Sequence, residues 1–139
     1  KCVTSVEVMG RNAGWLTGAA ALAKGEDCKG PDLIYLPELT FDMDNFMERI
    51  RGLLEKKPSV VVAVSEGVRL ADGRYVCELG QSADFVDAFG HKQLTGTAAY
   101  LAHHIANEVG CKTRAIELST LSVPLPTAVP GWISWQPIR

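Results

Sequence analysis

The apolar residues of this chain alternate between short β-branched runs and longer segments with helical spacing. The first run, Val3 to Met9, is rich in valine. An alanine-rich segment, Ala13 to Lys24, follows it with apolar side chains at helical spacing, and Gly25 ends that segment. Leu33 to Leu36 is a second apolar run, which Pro37 ends. This pattern predicts a strand, a helix and a second strand in the first part of the chain.

The next helix has the clearest signals. Asp42 is a good N-cap, and Phe41 and Phe46 occupy the two positions of a hydrophobic staple. Pro58 prevents the helix from continuing. The pattern predicts a helix between Asp42 and Pro58, with one apolar stripe that faces the core. The stripe contains Met43, Phe46, Met47, Ile50, Leu53 and Leu54.

The remaining elements complete a regular alternation. Ser59 to Gly67, SVVVAVSEG, is apolar on both faces, which is typical of a central strand in a parallel sheet. Ala71 to Tyr75, ADGRY, predicts a turn within a short β excursion. Leu94 to Val109 predicts a helix, and Thr113 to Thr120 predicts a last strand. The predicted fold class is therefore α/β: an open, mostly parallel sheet flanked by helices, in a Rossmann-like three-layer arrangement.

The character of the sequence changes near its end. Ser122 to Arg139, SVPLPTAVPGWISWQPIR, contains prolines and tryptophans without any period, which fits neither a helix nor a central strand. We therefore expect an α/β domain over residues 1–121 and an irregular tail over residues 122–139.

Composition and charge narrow the class of protein. A chain of 139 residues is long enough to bury a core without disulfides or metals. A net charge of −2 gives no reason to expect nucleic acid or a membrane as a partner, and no apolar run has the length of about 18 residues that a membrane helix needs. The cysteines lie far apart and form no CxxC pair, so we expect reduced thiols in a cytoplasmic protein: Cys2, Cys28, Cys77 and Cys111.

Candidate chemistry lies where strands end, because ligands of open α/β sheets bind beyond the carboxyl ends of the strands. Met9, Gly10 and Arg11 stand between a predicted strand and a predicted helix. Gly10 would let the backbone approach a ligand, and Arg11 would supply a forked donor for phosphate. The alternative is a tight turn with a solvated arginine.

Two further residues are candidates on the same reasoning. Glu66 follows the most apolar strand and could accept hydrogen bonds from sugar hydroxyls, although the residues alone favour a carboxylate that pairs with a nearby cation. His91 lies just before a predicted helix, where an imidazole could donate to a phosphate or a hydroxyl. We expect Trp15 and Tyr100 to be packing residues.

Taken together, these stretches resemble the phosphofructokinase family. VEVMGRNAGWLTGAAALA, PDLIYLPE, VVVAVSEG, FGHKQLTGTAAYLA and TRAIELSTL occur in the family's order and at its spacing, from Lys1 to Leu121. The resemblance implies the substrate-binding domain of an enzyme that transfers a phosphoryl group to the 1-hydroxyl of fructose 6-phosphate in glycolysis. The donor is pyrophosphate or ATP, and Mg²⁺ is the cofactor. It also implies the substrate-binding residues Met9, Gly10, Arg11, Glu66 and His91.

The departures from the family pattern matter as well. Leu94 stands where much of the family, in GHxQRGG, has an arginine, and an apolar side chain cannot replace that contact with phosphate. The motifs GRNAGWLT and FGHKQL are more similar to those of the pyrophosphate-using and mixed branch than to those of the ATP-dependent enzymes. The donor-phosphate loop, the magnesium ligands and the catalytic aspartate of the family do not occur in this sequence.

The resemblance therefore implies a C-terminal-half fragment that contains no catalytic residue and no metal ligand and is inactive alone. In the complete enzyme, we expect a cytoplasmic homo-oligomer. Two other interpretations stay open. The chain could be a non-catalytic module that binds a sugar phosphate or pairs with another chain in a regulatory or structural role, or it could be a truncated product with no role of its own.

Overall fold

The computed structural model describes residues 1–80 and 96–118, which form a four-stranded parallel sheet with flanking helices. The strands are β1 (Cys2–Val8), β2 (Leu33–Tyr35), β3 (Ser59–Ser65) and β4 (Lys112–Glu117), in the spatial order β2-β3-β1-β4. The α-helices are α1 (Trp15–Ala19), α2 (Met43–Lys56) and α3 (Thr97–Val109), and 3₁₀ turns span Ala20–Ala23 and Val76–Leu79. Within these described residues, no helix is both long enough and apolar enough to cross a membrane.

The order of the strands determines where the helices lie. The connection from β1 through α1 to β2 runs in one direction across the sheet, whereas the connections through α2 and α3 run in the other. Because parallel crossovers are right-handed, α1 belongs on one face and α2 and α3 on the opposite face. The core agrees: it contains side chains from α2 and α3 but none from α1. The α/β fold class predicted from the sequence is confirmed.

The core lies between one face of the sheet and the pair α2 and α3. In the register of β1 and β3, Val3 is opposite Val60, and Glu7 is opposite Val64, so these side chains share a face. Large apolar side chains from the two helices complete the layer with less than 2% of their surface exposed: Phe46, Ile50, Leu101 and Ile105. Burial of this apolar surface is the main source of stability for the described fold.

The start of α2 confirms its sequence signals. Asp42 accepts hydrogen bonds at Oδ1 from the backbone N–H groups of Asp44 (2.9 Å) and Asn45 (3.1 Å). The rings of Phe41 and Phe46 lie 5.3 Å apart, as a hydrophobic staple requires. The predicted stripe is buried or partly buried along the whole helix.

The predicted helix from Ala13 to Lys24 is wrong in extent. Only the five residues of α1 are α-helical, and a 3₁₀ turn follows them. Gly14 at the N-cap offers no side-chain cap, and Gly18 lowers the helix propensity of the segment. Trp15 is 86% exposed, so the prediction that it packs in the interior is also wrong. Tyr100, by contrast, packs against the core as predicted.

The other boundaries differ by a few residues. α3 begins at Thr97, because Gly96 has a left-handed φ of 98° that a continuing helix does not allow. The turn at Ala71–Tyr75 is confirmed: Gly73 has φ 85°, and Arg69 and Tyr75 form an antiparallel bridge around it. The tail at residues 122–139 lies outside the described residues, so the domain boundary remains a prediction.

We expect Asp42→Ala to lower the free energy of unfolding by about 0.5–2 kcal/mol, because two N–H groups at the start of α2 lose their acceptor. Urea unfolding followed by circular dichroism measures the change. Glu48→Ala on the exposed face of the same helix is the control and should change the free energy little. Equal effects of the two substitutions would show that the cap does not stabilise this helix.

Candidate functional site

The candidate site lies where β1 and β3 end side by side. The two strands run parallel with Val8 opposite Ser65, so the segments that follow them leave the sheet together. The Glu66 N–H donates to the carbonyl oxygen of Val8 at 3.0 Å, which continues the pairing beyond the last residue of β3. The predicted candidates Met9, Gly10 and Arg11 are thereby placed beside Glu66.

Glu66 and Gly10 are joined directly. The Gly10 N–H donates to Oε1 of Glu66 at 3.2 Å, and the Ser65 hydroxyl donates to the carbonyl oxygen of Gly10. In residues 1–80 and 96–118, the ion pairs do not include Glu66, and its Oε1 accepts a hydrogen bond from the Gly10 N–H. Arg11 is half-buried in the same turn.

Two glycines allow the two segments to approach so closely. A Cβ on Gly67 would lie 1.9 Å from the carbonyl oxygen of Arg11, and a Cβ on Gly10 would lie 2.6 Å from that of Ala13. Gly10 also has φ 150°, which L side chains rarely adopt. Gly67 was not among the candidates from the sequence, although its place directly after a buried strand end was the available signal.

The start of α3 adjoins the same strand ends. The Thr97 hydroxyl donates to the carbonyl oxygen of Glu66 at 3.4 Å, and the Ala98 N–H donates to Oε2 of Glu7 at 2.9 Å. His91 and Leu94 lie outside the described residues, so the role of His91 in substrate binding stays a prediction.

Glu7 is a buried carboxyl group that the sequence reasoning did not single out. It is 1% exposed, and in the described part of the chain its Oε1 has no hydrogen-bond partner. Burial raises the pKa of Glu7, and the nearby carboxylates of Glu117 and Glu66 raise it further, while the Ala98 N–H acts in the opposite direction. Its position on the face of Val3 in an alternating strand was the signal for burial.

A metal site is a separate question. Within residues 1–80 and 96–118, no group of three or more His, Cys, Asp or Glu side chains could hold a metal ion. We assign no metal ligand among these residues.

We expect Gly67→Ala to disrupt the contact between the two segments, because the added methyl group overlaps the Arg11 carbonyl. The free energy of unfolding should fall by about 1–3 kcal/mol, as for other overpacked sites. Gly52→Ala is the matched control: its Cβ meets nothing within 4 Å, and alanine in a helix should raise stability by about 0.5–1 kcal/mol. Urea unfolding of both variants measures these changes. An unchanged free energy of unfolding in Gly67→Ala would contradict the close approach of the two segments.

We expect the buried Glu7 to make the protein less stable as pH rises. Because its pKa is higher in the folded state, the folded chain binds the proton more readily, and stability is lost between the ordinary carboxyl pKa and the raised one. Glu7→Gln should remove this loss, whereas the exposed Glu48→Gln should retain it. Unfolding free energies at a series of pH values measure both slopes. The expectation fails if Glu7→Gln keeps the slope of the unsubstituted chain.

Comparison with known proteins connects this geometry to a family. The family model described as Phosphofructokinase matches residues 1–118. The pyrophosphate–fructose 6-phosphate 1-phosphotransferase of Xanthomonas campestris pv. campestris is 42% identical over 106 residues, which are 76% of this chain and 25% of that protein. The enzyme of the same name from Halomonas elongata is 40% identical over 116 residues, or 80% of this chain and 27% of that protein.

A solved structure has the same arrangement. The crystal structure of the pyrophosphate-dependent phosphofructokinase from Marinobacter aquaeolei matches with a TM-score of 0.64 and 28% identity, over 86% of this chain and 25% of that one. The chain thus spans about a quarter of the length of these relatives. Since the family match includes both the Met9–Arg11 turn and the strand end at Glu66, this chain belongs to the phosphofructokinase family.

Proposed function

We propose that this chain forms the fructose 6-phosphate-binding part of a phosphofructokinase that takes its phosphoryl group from pyrophosphate. The complete enzyme would transfer that group to the 1-hydroxyl of the sugar in glycolysis. We favour pyrophosphate over ATP as the donor because the names of the Xanthomonas and Halomonas relatives specify pyrophosphate.

The hydrogen bond between Gly10 and Glu66 is the observation that carries this proposal. It fixes a turn that contains Arg11 against a carboxylate at the carboxyl edge of the sheet. A guanidinium suits a phosphate group, because its forked donors match the phosphate oxygens. The remaining carboxylate oxygen of Glu66 can accept from a sugar hydroxyl. We propose that these two chemistries, which a sugar phosphate needs, meet at this edge of the sheet.

We propose one role for each residue of the site. Arg11 would bind phosphate, the backbone of Met9 and Gly10 would line the ligand, and Glu66 would orient the sugar. His91, which precedes α3 in the chain, would donate to the 6-phosphate. We propose no catalytic residue in this chain.

The rest of the reaction requires other parts of the enzyme. Phosphoryl transfer needs a positioned donor, a base and usually Mg²⁺, which neutralises charge on the transferred group. We propose that the donor loop, the aspartate base and the metal ligands lie outside this chain, and that the chain alone does not turn over. We also propose that the complete enzyme is a cytoplasmic homo-oligomer.

Binding of fructose 6-phosphate to the chain tests the proposal. Amide resonances followed by NMR during titration should shift saturably at Gly10, Glu66 and His91. Arg11→Ala should weaken binding about tenfold or more, since a hydrogen-bonded charge pair is lost. Arg51→Ala is the matched control, because Arg51 is exposed on α2 and pairs with Glu108.

Three results would contradict the proposal in different ways. An absence of shifts in a folded chain would show that this part does not hold the sugar phosphate unaided. Equal binding by the Arg11→Ala variant would remove Arg11 from the site. Phosphoryl transfer by the chain alone, with pyrophosphate or ATP, would show that the catalytic groups lie within it.

A further inference from the structure

Arg69 lies beside the candidate site, on the loop that follows β3, and its backbone is fixed from two sides. The Phe41 N–H donates to the carbonyl oxygen of Arg69 at 2.7 Å. Arg69 also forms a parallel bridge with Thr40 and an antiparallel bridge with Tyr75. These contacts make its position part of a small extension of the sheet and not a free loop.

The guanidinium of Arg69 is held as firmly as its backbone. Its Nη2 donates to Oδ1 of Asn12 at 3.0 Å and to the hydroxyl of Tyr75 at 2.7 Å. The guanidinium carbon also lies 4.5 Å from the centroid of the Tyr75 ring, over its face. An arginine held in this way loses little conformational freedom when it binds a ligand.

The hydrogen bond to Asn12 brings the charge of Arg69 next to the Met9–Arg11 turn. Asn12 directly follows Arg11, and Gly67 lies against the backbone of Arg11. The ion pairs of the described residues do not include Arg69, whereas the neighbouring Arg74 pairs with Asp72 at 2.7 Å. In this part of the structure, the partners of Arg69 are neutral oxygens and an aromatic ring, which leave its positive charge uncompensated.

We propose that Arg69 is a second guanidinium of the phosphate site, which contacts the oxyanion of a ligand bound at the Met9–Arg11 turn. The inference rests on the proposed function and adds a specificity-determining residue to it. The ligand is a phosphate group with at least one charged oxygen, from either the sugar phosphate or the pyrophosphate donor. The hydroxyl and ring of Tyr75 position the guanidinium, and the turn supplies Arg11.

The competing explanation is that Arg69 only holds Asn12 and so shapes the turn. The two explanations differ in what Asn12→Ala does. That substitution removes the hydrogen bond between Arg69 and Asn12 but leaves the guanidinium stacked on Tyr75. If Arg69 acts on the ligand itself, binding should survive in Asn12→Ala and be lost in Arg69→Gln.

The test measures dissociation constants of the full 139-residue chain for fructose 6-phosphate and for inorganic pyrophosphate, from amide shifts at Gly10 and Arg11. Arg69→Gln should weaken binding of one of the two ligands about tenfold or more. The affinity of Arg69→Lys should lie between those of the unsubstituted chain and Arg69→Gln, because lysine keeps the charge but not the forked geometry. The control is Arg74→Gln, on the same loop, which should bind as the unsubstituted chain does.

The ligand whose binding is lost shows which phosphate group Arg69 contacts. Loss confined to fructose 6-phosphate places Arg69 on the sugar phosphate, and loss confined to pyrophosphate places it on the donor. Unchanged binding of both ligands in Arg69→Gln would overturn this inference but not the proposed function. A loss of affinity in Asn12→Ala equal to that in Arg69→Gln would do the same. If the unsubstituted chain binds neither ligand, the proposed function fails and the inference falls with it. Should Arg69→Gln not fold, Arg69→Lys decides, and unchanged affinity in that variant overturns the inference.

Discussion

The parallel pairing of β1 and β3 is the constraint on which the site depends. Their register ends with Val8 opposite Ser65, so the turn after one strand and the loop after the other begin at the same height. A shift of one residue would reverse the face of each side chain in one strand and separate Gly10 from Glu66. The valines of β3, buried against α2 and α3, prevent that shift, since it would expose them. The core thus determines where the functional loops meet.

Glu7 connects this pairing to a third segment. Its carboxyl group lies in the layer of apolar side chains and accepts a hydrogen bond from the first turn of α3. A buried carboxyl group destabilises a core when one of its oxygens lacks a partner, as Oε1 of Glu7 does among the described residues, and the raised pKa of Glu7 reflects that burial. The same carboxyl group joins the start of α3 to β1 through its hydrogen bond with the Ala98 N–H, just before the Met9–Arg11 turn. A leucine at this position would pack more favourably but would leave the Ala98 N–H without its acceptor.

The sequence predicted the elements whose local signals agree with their packing. α2 was predicted from its cap, its staple and its apolar stripe, and β3 from continuous apolarity. The segment after Arg11 was predicted less well, because the helical spacing of Trp15 and Leu22 does not reveal that these side chains face solvent. At the site, the grouping of Gly10, Arg11 and Glu66 was predictable, since it follows from strand ends in a parallel sheet. The contact between Gly67 and Arg11 was not, because it depends on a backbone approach that has no sequence period.

The contacts that build the site and the contacts that would bind a ligand use different atoms. The two segments meet through the Gly10 and Gly67 backbones, the bond from the Glu66 N–H to the Val8 carbonyl, and the bond from the Gly10 N–H to Oε1 of Glu66. Glu66 therefore belongs to this frame, whereas Arg11 and Arg69 extend from it. Substitutions of these two arginines would change which phosphate group the proposed site prefers while the frame persists. Substitution of Gly10 or Gly67, by contrast, would alter the frame and with it every contact at once. Specificity in this part of the fold should therefore vary more readily than the geometry that supports it.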